Sequence, residues 1–208
     1  SKVELHIIIS SAHVPYSQTI NKFNITFHVI KYTIPFFKKG FPSFFPYDSI
    51  TWYKGFIKKA LKTINNYNID IIHAHGIEKG FSLLANKSGI KNITSIQGSM
   101  IEINKISPSF KGFSQIPIEK YCLKNNKNFG CRTDWDKDLV KRYNNKANIY
   151  YLPELINPIF FSTKWNPDNY TITYLGSIIK RKGIEVLIRA VSLIKNEIDS
   201  VKVILIGG

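Results

Sequence analysis

Three consecutive cations, Lys180, Arg181 and Lys182, stand between Gly176 and Gly183 in the stretch Tyr174-Leu175-Gly176-Ser177-Ile178-Ile179-Lys180-Arg181-Lys182-Gly183. Like charges this close repel one another unless something negative sits between them. The apolar run Ile172 to Leu175 ahead of them reads as a strand. Behind them Ile184, Leu187, Ile188, Val191 and Ile194 recur at the spacing of one helix face. The cations therefore fall at a helix start, where unpaired backbone N–H groups already favour an anion. A phosphate or diphosphate is the ligand that this pattern would hold. The competing reading is an ordinary solvated strand-to-helix loop that happens to carry lysines.

A second group of candidate residues lies at strand ends. The run Ile69 to His73 leads into His73-Ala74-His75-Gly76, and alternation along a strand sends His73 and His75 to the same side. In parallel sheets ligands lie beyond the carboxyl ends of the strands. Gly76 leaves space for a substrate there, and His75 offers a polar contact. His73 reads as a satisfied, half-buried histidine. Without a His or Cys cluster nearby in sequence, the pair is not expected to hold a metal. The strand Ile93 to Ile96 delivers Gln97-Gly98-Ser99 to the same edge, and Arg132 stands just before a helix that Thr133 and Asp136 open as a cap.

The elements that must position these residues alternate between strand and helix. Leu5 to Ser10 and Ile25 to Ile30 are β-branched runs joined by Ser-, Pro- and Asn-rich sequence. Asp48 or Ser49 is expected to cap a helix that buries Trp52, Phe56, Ala60, Leu61 and Ile64. A short helix with Phe81, Leu84 and Ala85 ends at Gly89. Met100 to Ile116 reads as a long irregular segment, followed by a helix over Pro117 to Leu123 and a strand near Asn128 to Gly130. Trp135, Leu139, Val140 and Tyr143 follow on the next helix, and Ile149 to Leu152 is a strand. Val201 to Ile206 is the last strand. This alternation predicts an α/β fold with parallel sheets.

Composition bounds the partners. The 208 residues are 44% hydrophobic and 13% aromatic, which suits packed globular structure, and no apolar run approaches membrane-spanning length. Cys122 and Cys131 are too few for a disulfide scaffold and read as buried apolar residues. A formal charge of +15 favours an anionic partner, although lysines scattered along the whole chain also fit a plain compositional bias. Pro35 to Pro46, with its phenylalanines and lysines broken by Pro and Gly, would suit docking against a lipid headgroup region or a lipid-linked acceptor. Its alternative is a loop whose rings fold back onto the core.

Gly176, Lys182 and Gly183 ahead of an amphipathic helix, then a strand ending in Gly207-Gly208, resemble the start of the donor domain of family 4 glycosyltransferases, the retaining enzymes of GT-B fold. His73-Ala74-His75-Gly76 and Gln97-Gly98 resemble two strand ends that line that family's cleft. Gly130-Cys131-Arg132-Thr133-Asp134-Trp135-Asp136 is similar to a segment of its bacterial polysaccharide-building branch. The similarity runs from about Val3 to Gly208.

The resemblance implies transfer of a sugar from a nucleotide diphosphate sugar to a polysaccharide or lipid-linked acceptor, with retention and without metal or cofactor. It implies catalytic roles for Lys182, Gln97 and His75. Gly176, Ser177, Arg181, Lys182 and Gly183 would bind the diphosphate, and Gly76, Gly98, Arg132 and Glu154 would line the sugar and acceptor side. Two positions depart from the pattern: Gln97 stands where the family often has a histidine, and Ser177 where it usually has an arginine. The expected organisation is an acceptor-side Rossmann-like domain over 1–161, a linker over 162–169 and the first β-α-β of a donor domain over 170–208. On the family's pattern the chain is expected to be truncated at both ends, lacking the first strand with its Gly-rich loop and most of the donor domain. The expected setting is cytoplasmic, with peripheral contact to the inner face of an anionic membrane, and nucleic acid is not the favoured partner. The alternative is a non-catalytic basic module or inactive fragment that binds an anionic surface or nucleic acid.

Overall fold

The computed structural model describes residues 3–11, 13–31, 45–164, 166–167 and 169–207. The chain divides into two compact units, Ser1–Glu154 and Leu155–Gly208. The division falls ahead of the linker expected at 162–169.

The first unit opens with a small sheet of β1 (Leu5–Ser11), β2 (Gln18–Lys22) and β3 (Ile25–Lys31) in the order β1-β3-β2. β1 runs parallel to β3, and β2 pairs with it antiparallel. Phe23 and Asn24 make the two-residue hairpin turn, both at positive φ (56° and 59°), as the primed turns that fit strand twist require. β2 has no apolar run (Gln-Thr-Ile-Asn-Lys), so the pattern that marks a half-buried strand is missing from the sequence.

The helix expected from Asp48 is broken in two, α1 (Tyr47–Ile50) and α2 (Lys54–Ile64). The break is at Trp52 and Tyr53, both left-handed, and neither Asp48 nor Ser49 caps either piece. Ser49 Oγ instead donates to the Pro46 carbonyl and meets Ser114 Oγ at 2.6 Å. Trp52 therefore lies outside α2 and is exposed, while Phe56, Ile57, Ala60 and Ile64 form the buried face. Of the aromatic loop, residues 35–44 lie outside the described residues.

The larger sheet holds β4 (Ile72–His75), β5 (Asn92–Ser95), β6 (Asn128–Cys131) and β7 (Asn148–Tyr151), all parallel and in sequence order. The connections contain α3 (Gly80–Lys87), α4 (Met100–Ile106) with α5 (Phe110–Asn125), and α6 (Asp134–Tyr143). Parallel strands need such crossovers, and their helices cover the sheet faces. This is an α/β arrangement compatible with a Rossmann-like fold. Two apolar clusters hold it: one joins α2, α3 and α5 through Phe56, Leu83, Leu84, Ile118 and Cys122, and the other joins β6 and α6 through Phe129, Cys131, Leu139 and Val140. Each such side chain, fully buried, contributes about 1.5–3 kcal/mol against leaving it in water. Both cysteines are free and buried, as expected.

Met100 to Ile116 is not irregular. Ser99 caps α4 by accepting from the Glu102 amide, and Ser109 caps α5 by accepting from the Gly112 amide. Two serine caps ten residues apart mark two helix starts, a signal that Pro117 inside α5 obscures in the sequence.

The second unit contains α7 (Ile159–Ser162), β8 (Thr171–Leu175), a 3-10 turn (Lys180–Lys182), α8 (Ile184–Ile194) and β9 (Lys202–Ile206), with β8 and β9 parallel. Leu187, Val191 and Ile194 are partly buried beside the buried Ile184, but Ile188, expected on the same face, is exposed. No helix among the described residues is long and apolar enough to cross a membrane.

Candidate functional site

The carboxyl ends of the four parallel strands gather one set of candidate residues within the first unit. His73 and His75 project from the end of β4 on the same side, ring centroids 6.3 Å apart, and both are exposed. His73 Nε2 bonds the hydroxyl of the buried Ser95, at the end of the neighbouring β5. Partial desolvation and the imidazole of His75 push the His73 pKa below its ordinary value, against a smaller upward pull from the Glu154 carboxylate. Glu154 follows β7 and pairs with Arg132, which follows β6, at 2.9 Å. Arg132 also approaches Asp136 at 4.0 Å, and Asp136 completes the capping box with Thr133 that starts α6. The strand register thus brings His73, His75, Ser95, Arg132 and Glu154 to one edge.

Gln97 and Gly98 follow β5 at that edge and are partly buried. They lead into the start of α4, whose first amides are already occupied. Glu119 Oε2 accepts from the amides of Met100 and Ile101 at 2.7 and 3.2 Å. Glu119 is fully buried, and its Oε1 has no partner among the described residues. Burial raises its carboxyl pKa to about 7, outweighing the bonds from Ser99, Met100 and Ile101, and Glu78 adds to the rise. Glu78 folds back on Gly76: its Oε2, likewise buried without a partner, lies 2.7 Å from where a Cβ at Gly76 would stand. Gly76 itself is at φ +89°. The space that glycine provides is therefore taken by this carboxylate.

Glu78, Ser95 and Glu119 were not singled out by sequence reasoning. Glu119 had a legible signal, because it shares a helix face with Gln115, Ile118, Cys122 and Leu123, all buried. Ser95 and Glu78 had none, since their roles come from strand register and from a loop folding back.

The second unit gathers the other set. Gly176 N donates to the Ile206 carbonyl, and the backbones of Gly176 and Gly207 touch so closely that a Cβ on Gly207 would lie 2.0 Å from the Gly176 oxygen. Tyr174 Oη donates to the Ser177 carbonyl at 2.8 Å and holds the start of the loop. Lys180, Arg181 and Lys182 form the 3-10 turn, all exposed, and Gly183 closes it in the left-handed region (φ +76°) before α8 begins. The cations thus stand one turn ahead of the helix amides. Ser177 is exposed in the same loop.

A concavity of about 360 Å³ lies elsewhere, at the amino ends of β5 and β6, lined by Asn86, Asn92, Asn125, Asn126 and Asn128 among others. Its asparagines serve the fold: Asn126 Nδ2 donates to Ser82 and Thr94, and Asn128 Nδ2 to the Asn92 carbonyl. None of the candidate residues lines it. Among the described residues no cluster of His, Cys, Asp and Glu could hold a metal ion. No family model matches the chain, and no curated protein matches it either.

Proposed function

We propose that the chain is a GT-B-type retaining glycosyltransferase that moves a sugar from a nucleotide diphosphate sugar to a polysaccharide or lipid-linked acceptor. The observation that carries this reading is the Lys180–Lys182 turn, three exposed cations closed by a left-handed glycine at the head of an eleven-residue helix. Departure of a nucleotide diphosphate builds negative charge on the leaving oxygen. Cations and helix amides fixed beforehand stabilise that charge without reorganising at the moment of reaction. In this reading Lys182 carries the main contact, Arg181 and Lys180 supply the charge that Ser177 does not, and Gly176 and Gly183 let the backbone approach the phosphates.

The strand-edge group of the first unit offers the hydroxyl-binding side chains that a sugar or acceptor needs. His75 and Gln97 bind hydroxyl groups, Gly98 leaves room for the ring, and Arg132 with Glu154 forms a bidirectional contact for hydroxyls or for a charged acceptor. Gln97 orients without becoming cationic, so charge stabilisation rests on the basic turn.

The test is calorimetric titration of the chain with a panel of nucleotide diphosphate sugars, alongside transfer of labelled sugar. Binding of at least one donor, weakened about tenfold or more by Lys182→Ala, supports the proposal; one charge-assisted contact to phosphate is worth about that much. Indifference to every donor removes it. Tight, steeply salt-dependent binding to nucleic acid in its place would favour the basic-module alternative.

A further inference from the structure

The outer face of α5 is apolar over its first two turns and basic over its last two. Phe110, Phe113 and Pro117, at i, i+3 and i+7, share that face and are all exposed; the two rings are 61% and 59% accessible. Lys120 and Lys124 continue the same stripe and are exposed as well. Ile106, at the end of α4 where the chain turns into α5, is 75% accessible. Phe45 packs its ring 6.4 Å from Phe110, and Trp52, exposed, stands edge-on against Tyr121 farther along α5. The opposite face of α5 is already spent on the core through Ile118, Cys122 and Leu123. Core packing therefore does not explain the outward rings.

We propose that this face of α5, with Ile106, docks on an anionic lipid bilayer. Exposed aromatic rings and a tryptophan interleaved with lysines are what an interfacial helix presents, the rings entering the acyl boundary and the ammonium groups remaining among headgroup phosphates. Charge chooses the occupant. Lys120 and Lys124 continue the stripe of rings on a chain of net charge +15, so a second copy would bring like charges together, whereas an anionic surface neutralises them. The acids near this end are Asp48, which faces Lys111, and Glu102, already bonded to Lys105 and Arg142. The surface does not depend on the sugar-transfer reading, because it requires neither the strand-edge group nor the Lys180–Lys182 turn.

The experiment is co-sedimentation of the chain, without any nucleotide sugar, with vesicles of phosphatidylcholine alone and of phosphatidylcholine mixed with phosphatidylglycerol. The expected result is pelleting with the anionic vesicles, and roughly tenfold or more weaker binding for Phe110→Ser/Phe113→Ser, the loss of two half-buried rings. Lys120→Glu/Lys124→Glu is expected to weaken it comparably, with circular dichroism checking that each variant folds. Should the aromatic variant fail to fold, the lysine variant carries the test. The proposal is overturned if the unaltered chain stays in solution with anionic vesicles, or if both variants bind as it does. It is overturned equally if the chain is a dimer that Phe110→Ser/Phe113→Ser disperses, since the face then belongs to a second copy.

Discussion

Arg132 and Glu154 close an ion pair across the ends of β6 and β7, Nη1 to Oε1 at 2.9 Å, and the same carboxylate helps His73 on β4 to hold a proton. Three strand ends are thereby linked by charge, with Ser95 on β5 joined through its bond to His73. Glu154→Gln should leave stability within about 1 kcal/mol, because both partners are partly solvated and such pairs contribute little. It should nonetheless lower the His73 pKa further, a shift readable in an NMR titration of the imidazole. An unchanged His73 titration would show that Glu154 does not act on it, and the strand-edge group would lose its electrostatic link.

Glu119 gives the fold an unusual pH dependence. Its carboxyl releases a proton near 4.5 when the chain is unfolded and near 7 when it is folded. Between those values the folded state keeps a proton that the unfolded state has lost, so this group's contribution to stability falls as pH rises, by about 3 kcal/mol over the whole window. Glu119→Gln removes the titration while its amide oxygen can still accept from Met100 and Ile101. The variant should be the more stable protein at pH 8 and show a flatter profile in urea unfolding between pH 5 and 8. Parallel profiles for the two proteins would mean that the carboxyl is hydrated in the folded state.

His28 works in the opposite sense. It is buried, its ring stacked 8° from parallel on His6, Nε2 2.9 Å from His6 Nδ1 and Nδ1 3.1 Å from Thr19 Oγ1. Burial and the neighbouring His6 lower its pKa, and His73 is lowered too. As pH falls below 6.5 the unfolded chain takes up protons that these folded imidazoles refuse, so stability declines on that side. With Glu119 acting from the alkaline side, urea midpoints should pass through a maximum in mildly acidic solution. His28→Gln should flatten the acid limb alone; if the acid limb is unmoved, His28 is not its source.

The large sheet is legible in the sequence as short apolar-containing runs (Ile69 to His73, Ile93 to Ile96, Ile149 to Leu152) alternating with helical segments, and parallel order follows from that alternation; the two helices over Met100 to Ile116 are not. The carboxyl-edge positions of His75, Gly76, Gln97, Gly98 and Arg132 came with it, as strand ends can be read without knowing the register. What escaped was whatever depends on contacts distant in sequence. The break at Trp52 and Tyr53 is set by packing against α5, and β2 is visible only through its ladder to β3. Period alone puts Ile188 on a buried face, but within the second unit α8 is covered along the Ile184, Leu187 and Val191 line, leaving Ile188 in solvent. Glu78 over Gly76 is likewise a loop conformation that spacing cannot reveal.

Cys122 and Cys131 should resist thiol reagents. Desolvation raises both thiols to about 11, and both side chains are inaccessible. The thiolate is the reactive form, so at pH 8 only about one thiol in a thousand is ionised even before access is considered. Labelling with a disulfide dye should therefore follow unfolding and appear at the same urea concentration as the loss of circular dichroism. Rapid labelling of the native protein would place at least one sulfur in a solvated environment.

Gly183 and Gly207 separate the backbone's part in the basic turn from the charge's part. At Gly183 an added Cβ meets nothing within 4 Å, so Gly183→Ala costs only the left-handed conformation, about 1–2 kcal/mol. Gly183→Asn should cost less, since its short polar side chain suits that region. Gly207→Ala is different in kind, because the new methyl would collide with the Gly176 backbone and force β8 and β9 apart. It should melt the second unit's sheet at much lower urea than either Gly183 variant. If the turn grips a diphosphate, Gly183→Ala weakens donor binding by displacing Lys180 to Lys182, Gly183→Asn largely preserves it, and Lys182→Ala abolishes most of it with no change in urea midpoint. Equal donor affinity across all three would mean that the cations contribute charge to the surface and nothing to recognition.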